Sequence, residues 1–541
     1  MTPNLDMTSS GSIIIYKYNP EVIMRRYLIP RICRVTVLWA TISLIPSLSL
    51  ATLLPETGIV SQKYIIQVND RNQVQSFAEK NNIEISPLIS YPDPSEEVTE
   101  IFADYYLISV SAETQENEDN IVNLLLCKSW IKSVQRNETV SLPEDPYNSQ
   151  TIRNFDGQNP LSDSPDDPLF PYQWDKMITK TSLAWSKTTG SSEVTIAILD
   201  SGVDTDHEDL APNVVSGYDF LDRDTIIEDD NGHGTKIAGV IAGKINNALG
   251  IAGIAGNSKI MALKVVNSFG NVKRSDAINA ILYAVDNGAD VITMSFGFNG
   301  PIEAEEEAIE YAWRKGVFIT ASAGNKAEIA PAHYPSSYEH VMAVGASDSV
   351  DARVDFSNYG DNVDIYAPGK SVWMTLMDGG YGTGSGTSYA APQIAGLAAL
   401  IQSTYTDYSA QEVWDAIVYG ADTIITDVGL VIRMNAKKSL DNELNTSAVV
   451  SEFYKDSEEI DEMVCISQIH GKTVKFSVSN TQSGNYYIYV YDLSGKVVYR
   501  NYGSISPNAD VILDLNLVSG VYFWQYRTDS SIYSGKLVAI R

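Results

Sequence analysis

The stretch Val194-Thr-Ile-Ala-Ile-Leu-Asp200 is apolar at every position except Thr195 until it reaches an aspartate. An apolar run of this length without alternation predicts a strand that is covered on both faces. The same pattern returns at residues 260–266, 291–294 and 317–321. These segments therefore predict several buried strands in the middle of the chain.

Segments with helical periodicity separate these strands. Apolar residues recur from 278 to 285 with the spacing of one helix face, and Ser275 and Gly288 are expected to cap and to end that helix. Alternating buried strands and helices pack as helices on both faces of a sheet. Residues 151–440 are therefore predicted to form an α/β domain with a doubly wound, mostly parallel sheet.

Residues 1–51 have the pattern of a signal peptide. Several arginines precede an apolar run of about 16 residues at 35–50, which is shorter than the roughly 20 residues of a membrane span. Ser49 and Ala51 are the small residues expected before a cleavage site. Met24 begins this pattern better than Met1 and is a candidate true start. A membrane anchor is the alternative interpretation.

Two further modules flank the predicted α/β domain. Residues 52–150 are predicted to form a small α+β domain, with strands at 63–68 and 105–110 and a helix at 72–81 that Asn72 caps. The polar stretch 142–165 is typical of an exposed linker. After an acidic linker at 441–464, short segments split by Gly, Asn and Ser predict an all-β sandwich over 465–541.

The composition excludes some partners. The 541-residue chain has a formal net charge of −30. Nucleic acids and anionic membrane surfaces attract positive charge, so the charge argues against both as partners. Cys33, Cys127 and Cys465 lie in three different regions and show no metal-ligand spacing, so a disulfide framework is not indicated.

Three segments far apart in the sequence carry residues suited to nucleophilic catalysis. Asp200 ends a buried strand, where open α/β sheets place their sites. His233 lies between glycines in Asn231-Gly-His-Gly-Thr235, and Ser388 follows a glycine-rich stretch and begins a helix. A serine hydroxyl needs a base within hydrogen-bond reach, and an imidazole held by a carboxylate supplies that base.

The same chemistry needs hydrogen-bond donors for an oxyanion. Asn325, in Ala321-Ser-Ala-Gly-Asn325 after another strand, is expected to supply one through its side-chain amide. The backbone N–H of Ser388 is expected to supply another, because it lies at the start of a helix. No cofactor is expected to take part in catalysis.

The segments around Asp200, His233, Asn325 and Ser388 together resemble the subtilisin-like serine peptidase family, peptidase family S8, which uses the order Asp, His, Ser. The resemblance implies a secreted endopeptidase that hydrolyses protein or peptide substrates through an acyl-enzyme. It also implies that an extended substrate pairs with two wall segments, formed by Ser295, Phe296, Gly297, Ala323 and Gly324.

Two positions near the implied specificity pocket depart from the usual pattern of the family. Lys326 follows the oxyanion asparagine, and His333 stands where the floor of the pocket often has glycine. A histidine there would narrow the pocket, and a cation at its rim would favour a negative charge. An acidic or small side chain is therefore expected at P1, the substrate residue before the cleaved bond. The alternative is that both side chains point to solvent.

The loop Ile245-Asn-Asn-Ala-Leu-Gly-Ile251 resembles the high-affinity calcium loop of the family. Calcium takes six to eight oxygen ligands. The resemblance implies a structural Ca²⁺ bound by the carbonyl oxygens of Ile245, Leu249 and Ile251, the side chain of Asn247, and the carboxylates of Asp209 and Asp167. The alternative is that Asn246 and Asn247 only turn the chain.

The flanking modules also carry resemblances. Residues 52–150 resemble the pro-peptides of such peptidases, which implies assisted folding and a cleft blocked until cleavage between about residues 142 and 167. Residues 465–541 resemble the C-terminal sorting domain of the type IX secretion system of Gram-negative bacteria, through Tyr489-Val-Tyr-Asp-Leu-Ser-Gly-Lys496 and Gly535-Lys-Leu-Val-Ala-Ile-Arg541. That implies export through the periplasm to the cell surface or the medium, with this machinery as a partner. A carbohydrate- or protein-binding module is the alternative.

Two other functions stay open at this point. A catalytically silent surface binding or adhesion protein would use both flanking modules, although the four candidate catalytic residues argue against it. A maturation protease with one target and a broad nutritional protease would have the same site residues, so the sequence does not separate them.

Overall fold

The computed structural model describes residues 60–81, 83–112, 122–146, 151–152, 164–329, 333–441, 451–455, 463–469, 473–479, 484–491, 497–505, 510–514, 520–528 and 532–539. The predicted signal peptide, residues 1–51, lies outside these residues. None of the helices in the described ranges is long and apolar enough to cross a membrane.

The first described part of the chain is a small antiparallel sheet packed with helices. Its elements are β1 (Val60–Val68), α1 (Asn72–Asn81), β2 (Glu84–Pro87), α2 (Glu96–Ile101), β3 (Tyr105–Ala112) and β4 (Ile131–Arg136), followed by the short strands β5 (Thr139–Ser141) and β6 (Thr151–Ile152). The strand order is β2-β3-β1-β4. Helix α1 has the predicted bounds, but Asn72 is its first residue, and its N–H donates to Asp70 Oδ1 at 3.0 Å.

A nine-stranded sheet forms the centre of the described chain. The strands of this region are β7 (Thr195–Asp200), β8 (Val214–Asp219), β9 (Lys259–Lys264), β10 (Asn271–Lys273), β11 (Val291–Met294), β12 (Phe298–Asn299), β13 (Phe318–Ser322), β14 (His333–Tyr334), β15 (Val341–Ser347), β16 (Ile365–Pro368), β17 (Val372–Leu376), β18 (Gly380–Gly384), β19 (Asp422–Thr426) and β20 (Gly429–Arg433). The sheet has the order β19-β20-β16-β15-β13-β11-β7-β9-β8, and only the β19–β20 pair is antiparallel. The predicted doubly wound, mostly parallel sheet is confirmed.

Helices cover both faces of this sheet. They are α3 (Trp174–Ile178), α4 (Thr181–Ala184), α5 (His233–Ala242), α6 (Arg274–Asp286), α7 (Glu303–Arg314), α8 (Thr387–Thr404), α9 (Ala410–Gly420) and α10 (Ala436–Asp441). Ile237 of α5 and Ile394 of α8 belong to one buried core, whereas Ile278 of α6 and Ile309 of α7 belong to a second core. The alternating side chains of β7 supply both cores, because successive side chains of a strand point to opposite faces.

The N-terminal unit, formed by the described residues between 60 and 141, packs against helices α6 and α7. Its residues Leu88, Val98 and Phe102 belong to the same buried core as Ile278 and Ile309. The Asn279 side chain of α6 donates to the Leu88 carbonyl at 3.0 Å and accepts from the Ser90 N–H at 2.8 Å. Apolar burial and hydrogen bonds therefore both join this unit to the central sheet.

The start of α6 corrects one prediction. Ser275 was expected to cap this helix, but the helix begins at Arg274, so Ser275 lies in its first turn. The Ser275 N–H donates to Asn137 Oδ1 at 2.8 Å, and Asn137 comes from the N-terminal unit. The N–H group of Ser275, at the start of this helix, is therefore bonded by a residue that is distant in sequence. A local sequence pattern does not reveal such a partner.

The C-terminal part consists of two antiparallel sheets. Its strands are β21 (Ser451–Lys455), β22 (Met463–Ile469), β23 (Thr473–Ser479), β24 (Gly484–Tyr491), β25 (Val497–Ile505), β26 (Asp510–Asp514), β27 (Gly520–Thr528) and β28 (Ile532–Ala539). The sheets have the orders β21-β28-β27-β24-β25 and β22-β23-β26. Strand β21 lies inside the predicted linker 441–464 and pairs with β28, so regular structure begins earlier than the sequence indicated.

Candidate active site

Asp200 and His233 form a buried pair at the carboxyl end of β7. The Nδ1 atom of His233 lies 2.9 Å from both Oδ1 and Oδ2 of Asp200. Only 1% of Asp200 and 7% of His233 is exposed. The carboxylate therefore holds one ring nitrogen, which leaves Nε2 as the nitrogen that can exchange a proton with a neighbouring group.

Close backbone packing places the imidazole beside this carboxylate. A Cβ atom added to Gly234 would lie 2.0 Å from the carbonyl oxygen of Gly202, so only glycine allows α5 to approach the end of β7 this closely. The Gly234 N–H donates to Ser201 Oγ at 2.9 Å. Glycine at 234 is therefore required by close packing, and glycine at 232 is favoured by its positive φ of 95°.

Asp229 was not predicted from the sequence, although it organises the start of α5. Its Oδ1 accepts from the Gly232 N–H at 2.7 Å, and its Oδ2 accepts from the N–H and hydroxyl of Thr235 at 2.9 and 2.6 Å. These bonds satisfy N–H groups at the helix start, and a negative charge is favourable at that end. An aspartate shortly before the Gly-His-Gly segment was the available signal.

Ser388 lies in the first turn of α8 and is 3% exposed. Pro392, inside the same helix, has no N–H to donate to the Ser388 carbonyl. The Ser295 hydroxyl donates to that carbonyl instead, at 3.0 Å. The segment predicted as a substrate wall therefore also positions the helix turn that carries the serine.

The Ser388 hydroxyl does not complete a hydrogen-bonded row in the described coordinates. Its Oγ donates to the Ser295 carbonyl at a long 3.4 Å, and among the described hydrogen bonds none joins it to His233. The neighbouring ring of Tyr389 has its centroid 6.0 Å from that of His233. Asp200 and His233 are thus joined directly, while Ser388 lies on an adjacent element with its hydroxyl turned to Ser295.

The Asn325 amide has a fixed orientation. Its Oδ1 accepts from the Thr387 N–H at 2.9 Å and from the Thr387 hydroxyl at 2.7 Å. Its Nδ2 faces Gly386, where an added Cβ would lie 3.3 Å away. Because the oxygen is occupied, the NH₂ group remains available as a donor next to the start of α8, where the first N–H groups have no intrahelical acceptor.

The His333 side chain lies between the two predicted substrate walls. An added Cβ on Gly297 would lie 2.1 Å from its ring, and one on Gly324 would lie 3.1 Å from it. Burial, and to a lesser extent the nearby Lys326 cation, lowers the pKa of His333 to about 4. The ring is therefore neutral near pH 7, while Lys326 is exposed. The described geometry puts the imidazole between the walls and leaves the cation at the surface.

The chain that follows the N-terminal unit runs along this cleft. Strand β5 pairs with β10 in antiparallel register, with Val140 opposite Val272. The Leu142 N–H continues the ladder by donating to the Gly270 carbonyl at 2.7 Å. Further on, Asp145 Oδ2 accepts from the Ser385 N–H at 3.1 Å, three residues before Ser388. Residues 139–145 therefore pass across the face that carries the serine.

The predicted calcium residues come together, but with a different bonding pattern. Asp209 accepts from the Ile251 N–H at 3.1 Å and from Asn247 Nδ2 at 2.8 Å, and Asp167 accepts from the Asn246 N–H at 3.0 Å. The predicted Asn247 oxygen ligand instead accepts from the Leu249 N–H at 2.9 Å, which turns the loop. In the described residues, no group of three or more His, Cys, Asp or Glu side chains is arranged to hold a metal.

The carboxylates of Asp209 and Asp167 nevertheless have properties that favour a bound cation. Burial raises the pKa of Asp209 to about 7 and that of Asp167 to about 6. Within the described part of the chain, neither carboxylate forms an ion pair with Lys, Arg or His. The donor set of two carboxylates and a carbonyl-rich loop therefore fits a calcium ion in composition.

His207, which comes shortly after Asp200, is bonded through both ring nitrogens. Its Nε2 lies 3.1 Å from the Gly380 carbonyl oxygen, and its Nδ1 accepts from the Asp209 N–H at 3.1 Å. Only 1% of it is exposed. The arrangement has no nitrogen left for a substrate, so His207 is a structural residue.

A parallel α/β sheet that carries a buried carboxylate–imidazole pair, a serine at a helix start and an oriented amide defines the class of serine hydrolases. The model of the subtilase family, peptidase S8, matches residues 191–449. A thermophilic serine proteinase from Bacillus sp. (strain AK1) is 35% identical over 369 residues, which cover 67% of this chain and 88% of the relative. The chain belongs to the subtilase family, whose members are serine endopeptidases.

Two further relatives match a shorter part of the chain. Thermitase from Thermoactinomyces vulgaris is 40% identical over 262 residues, which cover 48% of this chain and 92% of the relative. Subtilisin DY from Bacillus licheniformis is 39% identical over 225 residues, which cover 41% and 81%. Residues 191–449, which the family model matches, include Asp200, His233, Asn325 and Ser388.

Proposed function

We propose that this chain is a serine endopeptidase that hydrolyses peptide bonds through Ser388, His233 and Asp200. The observation that carries the proposal is the buried pair of His233 Nδ1 and an Asp200 oxygen at 2.9 Å, next to a helix that begins with a serine. The reaction requires the Ser388 hydroxyl to leave the Ser295 carbonyl, to which its bond is a long 3.4 Å, and to bond to His233 Nε2 instead. Hydrogen bonds in catalytic sites without substrate are often long and tighten when substrate binds.

In the proposed reaction, Ser388 Oγ bonds to the substrate carbonyl carbon while its proton moves to His233 Nε2. The Asn325 NH₂ group and the Ser388 backbone N–H stabilise the oxyanion. Cleavage of the C–N bond releases the amine, which takes the proton from His233 and leaves an acyl-enzyme. Water then repeats the attack with His233 as base and releases the acid, so no cofactor is needed.

Loss of the serine hydroxyl tests this proposal. Ser388→Ala is expected to abolish hydrolysis of an unfolded protein substrate such as casein. Ser403→Ala is a matched control on the same helix, because its hydroxyl only donates to the Ala399 carbonyl. Equal hydrolysis by the wild type and Ser388→Ala would contradict the proposal, provided that both variants keep the wild-type melting temperature.

The N-terminal unit is proposed to be the pro-peptide of this peptidase. Its support is the segment 139–145, which pairs with β10 and bonds to Ser385, three residues before the nucleophile. A chain held there excludes other substrates from the same edge. A peptidase that must pass through its host before it acts needs such a block.

The register of this segment favours the Pro143–Glu144 bond as the processing site. The Glu138 carbonyl accepts from the Arg274 N–H at 2.9 Å and the Leu142 N–H donates to Gly270, so even-numbered residues bond to the β10 edge. Main-chain groups alternate along a strand, so the Pro143 carbonyl faces away from that edge. It is the first such carbonyl between the contacts of Leu142 and Asp145 with the central domain.

The earliest processed product tests this assignment. N-terminal sequencing early in maturation of the full chain is expected to find Glu144 as the new first residue. Ser388→Ala is expected to stay uncleaved. A first product that begins elsewhere, or cleavage of Ser388→Ala at the same bond, would argue against self-processing at Pro143.

The preferred substrates are proposed to have a small residue, such as proline, at P1. The His333 ring between Gly297 and Gly324 occupies the space where a large side chain would lie, and Pro143 itself is compact. Because the His333 ring is neutral near pH 7, only exposed Lys326 favours an acidic P1 residue. A library of peptides that differ only at P1 tests this preference, and equal turnover of large apolar P1 residues would contradict it.

A structural Ca²⁺ is proposed at Asp167, Asp209 and the loop 245–251. The two buried carboxylates with raised pKa values support it, since a divalent cation would offset their charge. Such an ion would add stability to the native state without taking part in the reaction.

Export through the type IX system is proposed from the sequence motifs of residues 465–541. The antiparallel strands β21 to β28 are compatible with a separate β module. Deletion of residues 465–541 in a Gram-negative host with this system is expected to leave the peptidase in the periplasm. Normal appearance of the truncated protein at the cell surface or in the medium would contradict the proposal.

A further inference from the structure

The Glu138 side chain of the N-terminal unit is held by residues of the central domain. Asn299 binds both of its carboxylate oxygens: the backbone N–H donates to Oε2 at 3.0 Å and Nδ2 donates to Oε1 at 2.7 Å. A guanidinium nitrogen of Arg274 lies 3.7 Å from Oε2. Two donors and one cation therefore converge on a single carboxylate.

The cation of this site is fixed by its surroundings. The Arg274 side chain is 2% exposed, and its guanidinium carbon lies 4.5 Å from the centroid of the Phe298 ring. Nη2 donates to the Gly300 carbonyl at 2.9 Å, while Nε makes no hydrogen bond in the described structure. Glu305 is also buried and lies 3.6 Å from that Nε, so the cation is in place whether or not Glu138 is present.

The position of this site on the substrate path follows from the strand register. Glu138 continues the β5–β10 ladder, because its carbonyl accepts from the Arg274 N–H at 2.9 Å. Asn299 belongs to β12, which pairs with β14 and so connects to His333 between the substrate walls. The carboxylate site and the P1 region therefore lie along one continuous edge.

We propose that Asn299 and Arg274 form a substrate subsite that binds an acidic side chain at P6, the sixth residue before the cleaved bond. This inference rests on the proposed endopeptidase function and on Pro143 as P1 of the pro-peptide. Glu138 occupies the subsite before processing. After the pro-peptide leaves, the Asn299 donors and the Arg274 cation are available to substrates with Glu or Asp at that distance from the cleaved bond.

The chemistry of the site selects against neutral and basic side chains. In the pose of Glu138, a glutamine turns its NH₂ group toward one of the two Asn299 donors, and it brings no negative charge to the side of Arg274 that Glu138 occupies. A lysine adds repulsion. Hydrogen bonds to charged groups are stronger than those between neutral groups, so the acidic residue has the advantage.

A matched set of peptides tests the subsite. Peptides with the sequence of residues 136–147 would carry Glu, Gln or Lys at the place of Glu138 and would be cleaved by the processed wild-type enzyme, with products identified by mass spectrometry. The kcat/KM for the Glu peptide is expected to exceed that for the Gln peptide about tenfold. The difference is expected mainly in KM, and it should shrink at high salt because charge contributes to it.

Variants of Asn299 show whether this residue causes the preference. Asn299→Ala is expected to lower kcat/KM for the Glu peptide to that for the Gln peptide. Asn299→Asp is expected to reverse the preference, so that the Lys peptide becomes better than the Glu peptide. Asn287→Asp, at the exposed end of α6, makes the same chemical change away from the cleft and should keep the wild-type preference.

The outcomes separate the subsite from the proposed function. Cleavage of none of the peptides would overturn the endopeptidase proposal and the subsite with it. Equal cleavage of the Glu and Gln peptides by the wild-type enzyme would overturn the subsite alone. A wild-type preference that Asn299→Asp leaves unchanged would also overturn it, and the peptide comparison on wild type stands even if one variant does not fold.

Discussion

At the scale of single residues, the Ser388 hydroxyl is the one group of the proposed triad that bonds elsewhere, to the Ser295 carbonyl. Its hydrogen bond to the Ser295 carbonyl is long, at 3.4 Å, and such a bond between neutral groups contributes about 1 kcal/mol or less. The small cost of breaking it is compatible with formation of the serine–histidine bond when substrate binds. The Asp200–His233 pair, in contrast, is already formed and buried.

Removal of the Asn325 amide is expected to slow catalysis. Asn325→Ala should lower kcat by about 10²–10³, the size found for such a donor in subtilisin, and change KM little. Asn325 Oδ1 also accepts from Thr387, so the melting temperature of the variant must be measured alongside. A well-folded Asn325→Ala enzyme with the wild-type kcat would show that the amide does not bind the oxyanion.

Replacement of the imidazole in the pocket is expected to change specificity. His333→Gly should raise kcat/KM for peptides with Phe at P1 by about tenfold or more, because it frees the space between Gly297 and Gly324. Kinetics on paired Phe and Pro peptides measure the change. An unchanged ratio between the two peptides would mean that the ring does not limit the pocket.

The lowered pKa of His333 leads us to expect a loss of folding stability in acid. Its pKa is lowered to about 4 in the folded protein, while an unfolded histidine titrates near 6.5. The unfolded chain therefore gains a proton first, and stability is lost as pH falls from about 6.5 toward 4. In a Ser388→Ala background, which prevents autolysis, this loss is expected to exceed that of His333→Asn by about 2 kcal/mol at pH 4.5. Denaturant unfolding at pH 7 and 4.5 measures the free energy of unfolding of both proteins. An equal loss of this free energy with and without His333→Asn would refute the prediction.

The candidate catalytic residues could be predicted from the sequence. The residues that hold them in position could not. Asp200, His233, Asn325 and Ser388 are recognisable because each stands in a distinctive local setting of glycines or after a buried strand. The support of the Ser388 carbonyl by Ser295 is a contact between residues 93 positions apart. The Asn299–Glu138 contact spans 161 positions, so no local pattern indicates it.

At the scale of elements, long buried strands were predictable and short pairing strands were not. Strands β7 and β11 are almost entirely apolar, so their sequences indicate buried strands. Strands β5, β10, β12 and β14 have only two or three residues each, too few to show a period. Yet these short strands line the cleft, and their pairing depends on partners brought together by the large sheet.

The loop 245–251 gives an element-scale prediction. If it binds Ca²⁺ with Asp209 and Asp167, then excess chelator should lower the melting temperature by several degrees, because an ion that binds only the native state stabilises it. Asp209→Asn should melt lower than wild type with calcium and respond little to chelator. Calorimetry on the Ser388→Ala background measures both. A wild-type transition that chelator leaves unchanged would argue against the site.

At the scale of the whole molecule, the described residues form three parts of different architecture. The N-terminal unit joins the central domain through a common apolar core and through Asn279, Asn137 and Glu138. The central fold could be predicted because its strands and helices alternate regularly. The docking of the N-terminal unit could not, since it depends on surfaces that exist only after both parts have folded.

The central claim is that Ser388 is a nucleophile activated by His233 and Asp200. The most direct measurement is labelling of the processed enzyme with a fluorophosphonate, followed by mass spectrometry of its peptides. One label per molecule is expected on Ser388, and almost none on Ser388→Ala or His233→Ala after the wild-type enzyme has processed them in trans. Absence of label on a folded wild-type enzyme, or label on a different residue, would contradict a role of Ser388 as the nucleophile.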